Sequence, residues 1–452
     1  MNNKKCILLL IANPSQHGFS EVLSSVFDNT NYYIHPVSIE QCTHLRYEAP
    51  YPPSKRLSVM TPSGKGIKRL IKTIIYYNTW LRLILGHLAN PFYYILWRSS
   101  YLWRQRNLLR EMHKNIEYNI RKLSAVAVIM PGIPYFSWEL IYFPKTKLPV
   151  IALPNYGALS LSFLLPRNEK YQFRGTLERR LLDWLAPQWA HEDSGERIYP
   201  ATPFFLLSIL ACGAKPGQTL EDLRARFTGG CLFSVEDKEI LEEYGPVPEN
   251  WPITGDISSD RLMRRQQDRG LLLPMFFERY GFIYTRTIAF DLQSYPEEHL
   301  ERLLRVAQFA GNIGWNVIFC PHPGLAKHFI EPCERAGFIV SPEKTVDVLP
   351  LVDFYVSCDS STCQWTAQLG IPTLSIGLLG RLGFTGEGGL YFEKQNAEQF
   401  YEKLESILKD DIEYEKIRQS ATKSSMKYGM LDGKCEDRVR NYIINIITNW
   451  NK

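Results

Sequence analysis

Asn316-Val317-Ile318-Phe319-Cys320-Pro321-His322-Pro323-Gly324 and Phe354-Tyr355-Val356-Ser357-Cys358-Asp359-Ser360-Ser361-Thr362 decide the fold. Each opens as an apolar run of strand type and stops abruptly in small or polar residues. The second continues through Cys363-Gln364-Trp365-Thr366-Ala367-Gln368-Leu369, read as helix, and Pro372-Thr373-Leu374-Ser375-Ile376, read as strand. In an open parallel sheet this change of character marks the carboxyl end of a strand, where ligands bind. One run delivers a histidine fixed between two prolines, which remove two N–H donors and stiffen the loop. The other delivers a hydroxyl cluster where a helix should begin, and unpaired N–H groups at a helix start favour an anion. The two loops are therefore read as a phosphate-holding pair.

Outward from this pair the same rhythm repeats. Residues 5–12 read as a buried first strand, followed by Asn13-Pro14-Ser15-Gln16-His17-Gly18-Phe19-Ser20 as a loop and a helix from about Ser20. Further strands are expected over residues 32–37, 125–130, 149–153 and 229–235, with helices over 177–185 and 236–244. His191-Glu192-Asp193-Ser194-Gly195 reads as loop. The pattern then restarts, with a strand expected over Gly281–Thr285, an amphipathic helix over 296–310, and the pair of loops above. The fold class is α/β: two Rossmann-like domains facing a cleft, residues 1–254 and 255–452, with a junction near Gly255. The last helix is expected to be able to pack back on the first domain.

Bulk properties fit this size. A chain of 452 residues exceeds one ordinary core, and 45% hydrophobic with 22% charged residues is globular composition. Residues 7–12 are too short for a signal-peptide core and stop at Asn13-Pro14. Nine cysteines without a C-x-x-C pair argue against a disulfide framework or a zinc ribbon, and fit a reducing cytoplasm. The net charge of +5 is unevenly spread. No Asp or Glu lies between Glu48 and Glu111, while Lys, Arg, Trp, Tyr and aliphatic residues crowd the span. Residues 65–110 are expected to form a basic aromatic helical insertion, packed on the domain or lying on an anionic membrane surface. Nucleic acid is the least favoured partner, and residues 83–97 are too short and too broken by Asn90-Pro91 to span a bilayer.

A resemblance enters at the junction. Ser234-Val235-Glu236-Asp237-Lys238-Glu239-Ile240-Leu241-Glu242-Glu243-Tyr244-Gly245, followed by Ile253-Thr254-Gly255-Asp256, resembles the interdomain crossing of GT-B glycosyltransferases and UDP-N-acetylglucosamine 2-epimerases. Pro321-His322-Pro323 and Asp359-Ser360-Ser361-Thr362 resemble the His-Pro and Ser/Thr motifs of bacterial GT-B sialyl-, Kdo- and CDP-glycerol-type transferases. The likeness covers roughly residues 230–405. It implies a GT-B enzyme of surface polysaccharide or glycoconjugate synthesis that moves a sugar from a nucleotide-sugar donor to a glycan or lipid-linked acceptor. The cysteine usage and the basic aromatic span above lead to the expectation of a cytoplasmic protein able to sit peripherally on the membrane's inner face. Two departures matter. The epimerases carry Gly-Gly-x-x-Glu-Glu where this chain has Ser360-Ser361-Thr362-Cys363-Gln364-Trp365, and the acidic pair is absent. The sialyltransferases' acidic base motif is approached only by Glu192-Asp193-Ser194-Gly195, one residue too long.

The implied roles fall on named residues. His322 would donate a hydrogen bond to charge developing on the leaving phosphate. Pro323, Ser360, Ser361, Thr362 and Gln364 would line the donor phosphates, with capping of the following helix as the plainer use of the hydroxyls. In the glycine-dense loop Gly377–Gly389, Gly377 allows close backbone approach, Glu387 is a candidate for the donor ribose, and Arg381 for phosphate. Arg286, placed at the end of the second domain's first strand, would screen the phosphates. The general base is expected from the first domain, with His17, Glu139, Glu192 and Asp193 as candidates and His17 best placed. No metal or other cofactor is expected, since no Asp-x-Asp site occurs. A polyol-phosphate transferase or a UDP-sugar 2-epimerase-like enzyme on the same fold remains an alternative, as does a non-catalytic nucleotide-sugar-binding assembly protein.

Overall fold

The structure is a computed structural model that describes residues 4–11, 16–38, 90–131, 147–153, 177–193, 196–198, 206–207, 210, 227–242, 246–293, 295–322, 325–358, 360, 362–378 and 389–450. The first half builds β1 (Lys5–Ile11), α1 (Gln16–Val26), β2 (Tyr32–Ser38), α2 (Asn90–Lys122), β3 (Ala127–Pro131), β4 (Val150–Leu153), α3 (Leu177–Leu185), β5 (His191–Asp193), β6 (Glu196–Ile198), β7 (Gly229–Gly230) and α4 (Val235–Glu242). Its sheet is parallel, in the order β2-β1-β3-β4-β7. Strand β1 is apolar at consecutive positions because both of its faces are covered. Leu8 and Leu10 pack in one cluster with Leu109, Met112 and Ile116 of α2. Ile7 and Leu9 pack in another with Phe19 and Leu23 of α1. Among the described residues no helix is long and apolar enough to cross a membrane.

The second half begins with α5 (Ile257–Gln267) and α6 (Arg269–Tyr280), followed by β8 (Arg286–Leu292), α7 (Glu297–Asn312), β9 (Trp315–Pro321), α8 (Lys327–Arg335), β10 (Ile339–Val340), α9 (Thr345–Val348), β11 (Phe354–Cys358), α10 (Thr362–Leu369), β12 (Thr373–Gly377), β13 (Leu390–Glu393), α11 (Ala397–Lys409), α12 (Asp411–Ser424) and α13 (Cys435–Trp450). The sheet is again parallel, in the order β10-β9-β8-β11-β12-β13. Chain order therefore reverses between β8 and β11, which makes a crevice at their carboxyl ends. Phe290, Phe319 and Phe354 pack on α7 and α11 on one face. Ala289, Ile318 and Tyr355 pack on Phe276 of α6, with Trp365 and Leu369 of α10, on the other.

The halves are stitched at the junction. Thr254 and Gly255 both donate their N–H to Leu232 O, at 2.9 and 3.2 Å. Gly255 has φ +75°, and a Cβ there would stand 2.5 Å from Cys435 Sγ, so glycine meets two demands at once. Helix α13 lies against the first sheet: Val439, Ile443 and Ile447 are buried with Ile7, Leu9 and Ile129. Asp260 of α5 caps α13, accepting from the N–H groups of Cys435 (3.0 Å) and Glu436 (2.8 Å).

Three expectations are corrected here. Gly281–Thr285 is not a strand; the strand is Arg286–Leu292. The run Phe282-Ile283-Tyr284 has strand composition, but Ile283 is 81% exposed, and the buried apolar run begins only at Thr287. Helix α1 begins at Gln16 rather than near Ser20, so His17 belongs to the helix and not to a loop. His191–Asp193 is a strand of a short antiparallel hairpin with β6 rather than loop.

Candidate functional site

The crevice between β8 and β11 gathers the ends of three strands. The His322 N–H donates to Leu292 O (2.8 Å), which ties the histidine loop to the end of β8. The next residue, Gln293, donates through Nε2 to Asp291 Oδ2 (2.6 Å) and to Cys358 O (2.9 Å), tying β8 to the end of β11. The Cys358 carbonyl is an acceptor only, so chemistry dictates that the amide nitrogen, and not the oxygen, faces it. Tyr295 Oη donates to Asp291 O (2.7 Å), which completes the turn after β8. Asp291 is buried, Gln293 half-buried and His322 exposed.

At the start of α10 the hydroxyls work as a cap. Thr362 N donates to Ser360 Oγ (3.3 Å), and Ser360 Oγ donates to Thr362 Oγ1 (2.9 Å). Both residues are half-buried. The capping use of Ser360 is thus realised, and the helix start still lies at the carboxyl end of β11, beside the Gln293 bridge. Below it, Tyr355 Oη, Ser357 Oγ and Ser375 Oγ are buried and make no hydrogen bond of normal geometry among the described residues. Burial holds the Tyr355 phenol well above its usual value, so it stays neutral there.

The structure thus brings His322, Ser360 and Thr362 to one edge. Gly377 ends β12 on the same edge and is buried, as is Gln364 in the first turn of α10. Pro323, Ser361, Arg381, Glu387 and Glu139 lie outside the described residues. Arg286 does not join them. It opens β8 at the amino edge of the sheet, paired with Asp411 and stacked over the rings of Tyr414 (4.5 Å) and Trp315 (5.5 Å). Its misplacement follows from the misplaced strand: a residue expected at the carboxyl end stands at the opposite edge. His17 lies in the first turn of α1, which follows the carboxyl end of β1. One turn on, Glu21 accepts from Lys344 Nζ (3.0 Å), a residue just after β10, so this helix reaches the second half of the chain. Glu192 and Asp193 sit on β5.

Asp291 and Gln293 were missed because the strand was placed too early. Their signal was present: Ile288-Ala289-Phe290 followed by Asp291-Leu292-Gln293-Ser294-Tyr295-Pro296 has the same apolar-then-polar form as the two opening runs.

No protein-family model matches this sequence, and no curated protein matches it. Solved structures do. UDP-GlcNAc 2-epimerase from Neisseria meningitidis bound to UDP-GlcNAc is similar over 98% of this chain and 100% of its own, with 11% identity and a TM-score of 0.51. Phytolacca americana UGT2, complexed with UDP-2fluoro-glucose and pterostilbene, is similar over 99% and 100%, with 12% identity and a TM-score of 0.50. The wall teichoic acid polymerase TagF, soaked with CDPG, is similar over 100% and 90%, with 10% identity and a TM-score of 0.50. The fold is GT-B.

In this GT-B chain the junction between the sheets also touches α10. Asp256, directly after Gly255, is 1% exposed. Neither of its carboxylate oxygens makes a hydrogen bond of normal geometry. Burial pushes its pKa up to about 7, held back in part by Ser258 and the Trp365 side chain, with the like charge of Asp260 adding to the rise. Gln368 of α10 accepts from Ser259 Oγ (3.2 Å), so α5 and α10 are joined next to this buried acid.

Proposed function

We propose that this protein is a nucleotide-sugar-dependent glycosyltransferase whose donor sits at the carboxyl edge of the second sheet, between Gln293, His322 and the start of α10. One observation carries the reading. Hydrogen bonds knit the His322 loop, the Gln293 turn and the end of β11 together at the point where strand order reverses. In open α/β sheets that point is where nucleotides bind. The N–H groups at the start of α10 favour the donor's phosphates. Solved neighbours of the fold hold UDP-sugars, which supports a donor of this class.

In the transfer, an acceptor oxygen forms a bond to the donor's anomeric carbon. The bond from that carbon to the phosphate oxygen breaks, and its electron pair stays on the phosphate. His322 would stabilise that charge by a hydrogen bond, and the acceptor's proton would pass to a base in the first domain, for which His17 is the candidate. The acceptor, a glycan or a lipid-linked saccharide, would enter from the side of α2, whose N-terminal half carries the basic aromatic segment. A cytoplasmic site on the inner face of an anionic membrane fits that surface. The absence of the epimerases' acidic pair at residues 360–365 favours transfer over epimerisation.

The test has two parts. A thermal-shift screen against UDP, CDP, CMP and GDP should show stabilisation by at least one nucleotide, since a ligand that binds the folded state raises its melting temperature. His322→Ala should then keep its fold and lose roughly 10²-fold or more in turnover with that nucleotide's sugar conjugate. A folded variant with unchanged turnover would remove His322 from its role.

A further inference from the structure

We infer that Gln293 reads a hydroxyl group of the bound nucleotide sugar through its amide oxygen, an inference that rests on the donor site proposed above. The orientation of the amide is fixed. Nε2 has two hydrogens, and they face Asp291 Oδ2 at 2.6 Å and Cys358 O at 2.9 Å. The Cys358 carbonyl cannot donate, so turning the amide over would set oxygen against oxygen there. Oε1 is therefore held pointing away from both. Among the described residues no protein group is recorded as donating to it, and Gln293 is only half-buried. It stands between the two loops that flank the crevice, since the His322 N–H bonds Leu292 O one residue earlier.

An immobilised carbonyl-type oxygen repels a phosphate and accepts from a hydroxyl. Two sources of such a hydrogen exist on a nucleotide sugar, the ribose and the transferred sugar. An acceptor that the bound ligand shields from water discriminates against a ligand that lacks the matching donor, because the acceptor is then left unpaired. Asp291 is a positioning residue here: its carboxylate holds the amide and does not itself reach the crevice surface, being 3% exposed.

The experiment measures affinity by calorimetry for UDP, CDP and GDP, their 2′-deoxy and 3′-deoxy forms, and their glucose conjugates with and without single hydroxyls. With the wild-type protein, removing one particular hydroxyl should weaken binding about ten-fold. With Gln293→Met, which keeps the side chain's length and loses its polar atoms, the intact ligand should weaken by a similar factor and the same deletion should cost nothing further. Loss on a deoxyribose form assigns the ribose, and loss only on a deoxyglucose conjugate assigns the transferred sugar. Wild-type binding that tolerates every single deletion within three-fold overturns the inference, even if Gln293→Met does not fold. A folded Gln293→Met with wild-type affinities and wild-type discrimination also overturns it. Failure of the wild-type protein to bind any nucleotide would instead remove the donor site proposed above.

Discussion

Replacing Asp256 with asparagine tests whether the junction holds an uncharged acid against α10. The side chain is 1% exposed and both oxygens lack a well-formed hydrogen bond. Burial raises the folded-state pKa from the ordinary aspartate value of 3.8 to about 7. The sign follows from which state binds the proton. Between about pH 4 and pH 7 the folded protein holds a proton that the unfolded chain has released, so this group's stabilising contribution is full below about pH 4 and is lost as pH rises through about 7. A shift of roughly three units is worth on the order of 4 kcal/mol. Asparagine resembles the protonated acid at every pH. The melting temperatures of Asp256→Asn and wild type should therefore lie close together at pH 4 to 5, and the variant should be the more stable by several degrees at pH 8 to 9. Other carboxyls titrate in both proteins and cancel in the difference. Parallel stability curves from pH 4 to 9 would show that Asp256 is ionised and paired at neutral pH, and would refute the reasoning.

Other perturbations have equally definite outcomes. Asp260→Ala strips the cap from the N–H groups of Cys435 and Glu436 and should destabilise by about 1–3 kcal/mol in chemical denaturation. Gly255→Ala puts a Cβ at 2.5 Å from Cys435 Sγ on backbone with φ +75°, and should lower the melting temperature by more than Asp260→Ala does. Glu21 and Lys344 are 74% and 55% exposed, so a double-mutant cycle on the pair should give no more than about 1 kcal/mol, vanishing at high salt.

Much of the second sheet was legible because its strands are buried on both faces and stop abruptly. Residues 354–358 and 373–377 are apolar or small throughout, and the helix Thr362–Leu369 starts on a hydroxyl and ends before Gly370. The failure at β8 has a physical cause. Aromatic and β-branched residues in Phe282-Ile283-Tyr284-Thr285 fit a strand as well as Thr287-Ile288-Ala289-Phe290 does, and composition does not report that Ile283 is exposed. That one displacement moved Arg286 to the wrong edge and hid Gln293. The helices α5 and α6 were not anticipated, since Pro274 interrupts the second and several arginines are turned inward to pair with Asp347 and Asp353. The Asp256 environment was beyond reach for another reason: the side chain that approaches it from outside its own helix, Trp365, is far away in sequence.

The most direct measurement of the donor site is amide hydrogen exchange with and without the nucleotide that stabilises the protein most in the screen. Phosphate held at the start of α10 engages backbone N–H groups themselves, so their exchange reports binding without a label. With the donor seated as proposed, slowed exchange is expected to concentrate in residues 291–295, 320–325 and 358–364. Protection confined to the first sheet's loops, or spread evenly over the chain, would contradict it.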